Sequence, residues 1–160
     1  MIYTIVKLLF KFFFRIFFRL KISGLENVDQ FKQGGFIIAV NHISNLDPFL
    51  SGTFIQRKIY FFSKKELFKN RLGHWFFTNL KCIPVNRANP GPKAMTKIIS
   101  VLKEGEGLTI FPEGTRSKDG NIQDIKPGTG MIVCKTKVPL IPCYITGTNN
   151  ALPKGSELMQ

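Results

Sequence analysis

Short apolar runs alternate with amphipathic stretches along most of this chain. The runs cover residues 36–40, just after Gly34-Gly35, then 59–62, 82–85, 108–111 and 140–145. Continuous apolar runs of this length suit strands buried on both faces. Helical patterns fill the gaps. Residues 48–56 open with Pro48 in a first-turn position. Residues 70–80 carry Trp75, Phe76 and Phe77, residues 92–104 stop at Gly105, a natural C-cap, and residues 127–137 close the set. Strand–helix alternation predicts an α/β domain with a largely parallel central sheet flanked by helices. No repeat, linker or low-complexity tract divides residues 22–160, so they form one domain.

The first 21 residues follow a different pattern. They contain no Pro or Gly and predict one helix over residues 1–20. Its cations Lys7, Lys11, Arg15 and Arg19 recur every fourth residue, so they advance about 40° per step and cover roughly 120° of the surface. The rest is Ile, Val, Leu and Phe, with Phe10, Phe12, Phe13, Phe14, Phe17 and Phe18 clustered together. A membrane span needs roughly 20 mostly apolar residues, and here the cations interrupt every run. A signal peptide needs an unbroken apolar centre and a small-residue cleavage site, and neither is present. An amphipathic helix lying in the membrane interface fits best, with aromatics at the acyl boundary and cations at anionic headgroups. The competing reading packs this helix on the protein's own core.

Composition narrows the partners. Hydrophobic residues make up 44% of the chain, enough for a real core, and the net charge of +13 calls for an anionic partner. Nucleic acid, acidic lipid and a phosphorylated ligand all meet that demand. Five of the cations precede the first acid, Glu26, and share their segment with the Phe cluster. Base-stacking proteins instead spread their aromatics over a sheet face, so the pattern favours lipid over nucleic acid. Cys82, Cys134 and Cys143 are odd in number and lack metal-ligand spacing, which suits free thiols in a reduced compartment.

Two loops carry the candidate chemistry. Asn41-His42-Ile43-Ser44-Asn45-Leu46-Asp47 follows the first expected strand directly. It sets a His at the carboxyl end of a buried strand, where ligand sites in open α/β sheets lie. The intervening residues let the loop turn back, so that the Asp47 carboxylate can hold Nδ1–H and leave Nε2 free to take a proton. Taken alone, Asp47 before Pro48 could equally be a helix N-cap. Phe111-Pro112-Glu113-Gly114-Thr115-Arg116-Ser117 follows the fourth expected strand, and its glycine, hydroxyls and guanidinium suit a phosphate. An ordinary surface turn with a Glu113–Arg116 pair would also account for that stretch.

Together these blocks resemble the glycerolipid acyltransferases, specifically the 1-acylglycerol-3-phosphate acyltransferase group. Two further blocks match in order: Lys65-Glu66-Leu67 leading through Gly73 to Ile83-Pro84-Val85-Asn86-Arg87, and Val138-Pro139-Leu140-Ile141-Pro142. The resemblance covers about residues 22–150. A proline is usual after the Lys-Glu-Leu block, where this chain has Phe68-Lys69-Asn70-Arg71. The chain also stops soon after Pro153, where such proteins usually continue with more sheet and a helix.

The resemblance implies that His42 is the general base and Asp47 its orienting partner. It implies that Glu113, Gly114, Thr115 and Arg116 hold the acceptor, with Arg116 on its phosphate and Arg87 as a second phosphate ligand. Lys126 is a weaker third. The reaction so implied moves an acyl chain from acyl-CoA or acyl-carrier protein to lysophosphatidic acid at the cytoplasmic face of a membrane, with no further cofactor and no metal. There is no Gly-x-Ser-x-Gly elbow, and a thioester donor needs none. His74 is expected to be structural or interfacial, and Pro142 to shape the sheet edge. Rival readings keep the chemistry with another acceptor, such as glycerol 3-phosphate or another lysophospholipid, or drop it for a non-catalytic basic surface module.

Overall fold

The computed structural model describes residues 1–86 and 91–152. Five parallel strands make one sheet: β1 (Phe36–Val40), β2 (Ile59–Lys64), β3 (Cys82–Val85), β4 (Gly107–Ile110) and β5 (Leu140–Cys143), in the order β3-β2-β4-β1-β5. The helices are α1 (Ile2–Phe17), α2 (Glu26–Asp29), α3 (Asp47–Thr53), α4 (Arg71–Asn79), α5 (Pro92–Lys103), α6 (Gly128–Thr136) and α7 (Thr148–Ala151), with a 3₁₀ turn at Lys65–Phe68.

Alternation along the strands sorts side chains into two cores. Ile37, Leu108 and Ile110 join Ile83, Val85, Ile98, Val101, Leu102 and Ile132 on the side covered by α5 and α6. Phe36, Ile38 and Val40 join Ile55, Ile59, Val28 and Ile145 on the other. Of the three strands bounded on both sides, β2 is mostly half-buried, while β1 and β4 follow the expectation of two-face burial and are almost fully enclosed. The edge strand β5 does not, and most of its residues are exposed. Both edge strands contain proline, Pro84 in β3 and Pro142 in β5. Proline has no N–H to donate and is confined to such positions.

The sheet order positions the chemistry. β1 and β4 are paired neighbours running the same way, with Ala39 opposite Ile110. Their carboxyl ends therefore release adjacent loops on one edge of the sheet, one beginning at Asn41 and the other at Phe111.

The N-terminal helix departs from the sequence reading in two ways. It ends at Phe17, so Arg19 lies beyond it and only three of the four cations share the helix. It is also docked on the domain. Phe14 is 1% exposed, Phe10 stacks on Phe49 of α3 with ring centroids 4.5 Å apart, and the Ile59 N–H donates to the Tyr3 hydroxyl at 2.9 Å. Lys7 is on this inner side, where its ammonium donates to the carbonyls of Ile55 and Gln56 just past α3. Burial lowers its pKa, with the Lys11 charge adding to the effect. Lys7 therefore does not belong to a headgroup-facing stripe. The outward face of α1 is mostly apolar, carrying Ile5, Leu8, Leu9, Phe12, Ile16 and Phe17, with Arg15 exposed among them. No helix among the described residues is long and apolar enough to cross a membrane.

Candidate active site

His42 stands two residues past the end of β1, and the chain reverses so that Asp47 returns to it at the start of α3. Asp47 Oδ2 lies 2.9 Å from His42 Nδ1 and accepts the backbone N–H groups of Ile43 and Ser44, each at 2.7 Å. Its Oδ1 accepts the Thr148 hydroxyl at 2.6 Å. Asp47 is 0% exposed. Four hydrogen bonds offset the cost of removing a carboxylate from water. Asp47 makes no capping bond to α3, so its geometry is that of a partner to the imidazole. With Nδ1–H donated to Asp47, Nε2 is the basic nitrogen.

The second loop clamps the first. The His42 N–H donates to Glu113 Oε1 at 2.8 Å, and the Ser117 N–H donates to the His42 carbonyl at 2.7 Å. The Phe111 ring stacks on the imidazole, with centroids 4.1 Å apart. Glu113 is buried, and its Oε2 accepts the Gln123 N–H at 3.1 Å. Glu113, expected to hold the acceptor, thus also braces the His42 loop. Each of its oxygens accepts one backbone N–H, and the bond from His42 ties the two loops together. The sequence pattern shows a carboxylate beside Arg116 but not which way it faces.

The other expected residues divide. Gly114 and Thr115 are exposed at the tip of the turn and Arg116 is half-buried. Gly114 has φ +67°, which an L side chain rarely adopts, and a Cβ there would press on Lys126 at 3.1 Å. Arg87 lies outside the described residues. Lys126 and Gly114 line a cavity of about 270 Å³ together with His42. Its remaining wall is mostly apolar and includes Phe62, Val85, Met95, Ile98, Ile110 and Ile132. A proton acceptor thus meets a slot suited to an alkyl chain. The sequence reading did not anticipate this cavity, because its wall comes from residues that read simply as core.

A family model described as Acyltransferase matches residues 19–146, most of the chain and both loops. The chain belongs to the acyltransferase family. Among its relatives, 1-acyl-sn-glycerol-3-phosphate acyltransferase of Bacillus subtilis is 34% identical over 141 residues, covering 88% of this chain and 67% of the relative. The chloroplastic 1-acyl-sn-glycerol-3-phosphate acyltransferase LPAT1 of Arabidopsis thaliana is 31% identical over 143 residues, covering 88% and 40%. The crystal structure of the 1-acyl-sn-glycerophosphate (LPA) acyltransferase PlsC from Thermotoga maritima superposes with a TM-score of 0.84 at 33% identity, covering 99% of this chain and 63% of that one. This acyltransferase chain therefore spans well under half of the plant relative and about two thirds of the two bacterial ones.

Proposed function

We propose that the chain transfers a fatty acyl group from a thioester, acyl-CoA or acyl-carrier protein, to the free hydroxyl of 1-acylglycerol 3-phosphate, giving phosphatidic acid. The observation that carries this reading is the buried His42–Asp47 pair opening on an apolar cavity. The acyl chain occupies the cavity, with its thioester carbonyl beside the imidazole. His42 Nε2 takes the hydroxyl proton as the acceptor oxygen attacks the carbonyl carbon. The C–S bond then breaks, and the departing thiolate recovers the proton from the imidazolium. Thiolate is a good leaving group, since a thiol has a pKa of about 8.5. Asp47 holds the tautomer and stabilises the transient imidazolium. Gly114, Thr115 and Arg116 receive the acceptor's phosphate, Arg87 serves as its second ligand, and Lys126 adds positive charge at the cavity wall.

Both substrates are amphiphiles, and a membrane surface would supply them. The apolar outer face of α1 supports that location, as does α4, which buries none of its residues and exposes Leu72, Trp75 and Phe76 near Lys65, Lys69 and Arg71.

The test is acyl transfer from labelled acyl-CoA and acyl-carrier protein to a panel containing lysophosphatidic acid, glycerol 3-phosphate and other lysophospholipids. Lysophosphatidic acid should be the best acceptor, and His42→Ala should lower turnover by about 10²–10⁴-fold with folding intact. Near-native turnover in folded His42→Ala removes the mechanism. Preference for another acceptor keeps the mechanism and changes the substrate.

A further inference from the structure

Asn41, Ser44 and Asp47 recur every third residue along the His42 loop, and each is tied to one distant stretch, the turn running from Ile145 to Leu152. The Asn41 amide bridges Ile145, accepting its N–H at 2.7 Å and donating to its carbonyl at 2.8 Å. The Ser44 hydroxyl donates to the Leu152 carbonyl at 2.8 Å. The Thr148 hydroxyl donates to Asp47 Oδ1 at 2.6 Å across 101 residues of sequence. Gly147, at φ +83°, turns the chain so that Thr148 can start α7 with its side chain against the carboxylate.

The two Asp47 oxygens are held differently. Oδ2 takes three donors, all from the loop itself: His42 Nδ1 and the N–H groups of Ile43 and Ser44. These bonds fix one oxygen and leave the carboxylate able to pivot about it. Thr148 fixes the second oxygen and so sets the carboxylate plane, which in turn sets the direction of the bond to the imidazole. Thr148 is itself buried, so water does not readily replace its hydroxyl.

We infer that Thr148 is a positioning residue for the His42–Asp47 pair, and that the turn from Ile145 to Leu152 clasps the catalytic loop. This rests on His42 acting as the base. The imidazole must point Nε2 at a hydroxyl within a fraction of an ångström, and misplacement on the ångström scale is enough to slow turnover on the order of a hundredfold.

The test compares Thr148→Val, which keeps the shape and removes the hydroxyl, with Thr148→Ser, which restores the donor. Thr148→Val should lower kcat by roughly tenfold to a hundredfold with the KM of both substrates unchanged, and Thr148→Ser should recover most of it. Val should add no further loss in an Asp47→Asn background, because the oriented carboxylate is already gone. A second readout needs no turnover: the downfield proton NMR signal of the His42 Nδ1–H, assigned by its loss in His42→Ala. It should shift or broaden in the Val variant and return in the Ser variant. With His42→Ala inactive, an undiminished kcat or an unchanged resonance in Thr148→Val overturns the inference, as does a loss that Ser fails to restore. An active His42→Ala sinks the general-base reading instead, and the resonance alone then decides whether Thr148 holds the pair.

Discussion

The loops around His42 and the outer face of α1 show opposite ways of satisfying a surface. Around His42 the groups are polar and buried, and they find their partners within the chain, some of them more than 70 residues away in sequence. On the outer side of α1 the groups are mostly apolar and exposed, and no described residue covers them. The first region is finished by folding, so its geometry can be exact enough for proton transfer. The second is left open as exposed apolar area, the kind of patch that marks an interaction surface. One helix shows both conditions a single residue step apart: Phe13 and Phe14 pack inward or sideways, while Phe12 points to solvent.

The largest expected effect separates the two faces of that helix. Phe14→Ala empties a fully buried site and should cost about 3–5 kcal/mol of stability. Changing Phe12 and Phe17 to Ser, at 67% and 70% exposure, should leave stability within about 0.5 kcal/mol while weakening binding to both anionic and neutral vesicles. Thermal melting and vesicle sedimentation on the same preparations give both readings. If the outer pair proves as costly to folding as Phe14, the outer face has a protein partner, and the contrast with the inner face fails.

A smaller effect probes the clamp. Glu113→Gln replaces one of two backbone-binding oxygens with an amide N–H₂ group that confronts an N–H donor. It should destabilise by about 1–3 kcal/mol and lower kcat by disturbing His42, without a selective rise in acceptor KM. Denaturant unfolding and steady-state kinetics check the two parts. A raised acceptor KM with unchanged stability would return Glu113 to the substrate and make this loop as open as α1.

The sequence made the sheet legible and the clamp illegible, for physical reasons. All five strands fall within two residues of their apolar runs, because strands that face a core favour apolar side chains. The His42–Asp47 spacing was readable because both partners lie on one short loop. Glu113 and Thr148 were not read in their places, since a bond between residues 71 or 101 positions apart leaves no local pattern. Lys7 misled because helical periodicity reports which residues share a face, not what that face meets. Its (CH₂)₄ stem lets an ammonium reach carbonyls from an apolar interface.

The smallest expected effect lies at the outer rim of the clamp, where the polar network reaches solvent. Asp119 is exposed, yet its carboxyl is pulled down to about 2, first by the Asn121 side chain, then by the Ser117 hydroxyl and the Asn121 N–H. Ser117 is also the residue whose N–H holds the His42 carbonyl. Because the folded value lies below the ordinary 3.8, folding favours the ionised form. The resulting stabilisation is fully present above about pH 4 and is lost as pH falls through about 2. At neutral pH, Asp119→Asn should loosen the turn from Ser117 to Gln123 slightly, with faster amide exchange at Asn121 and little change in turnover. Wild type and variant should converge as the pH approaches 2. A carbon NMR titration of the Asp119 carboxyl reads the midpoint directly. A midpoint at the ordinary 3.8 would mean that these bonds do not hold the turn in solution, and that the ordered network around His42 ends at the buried residues.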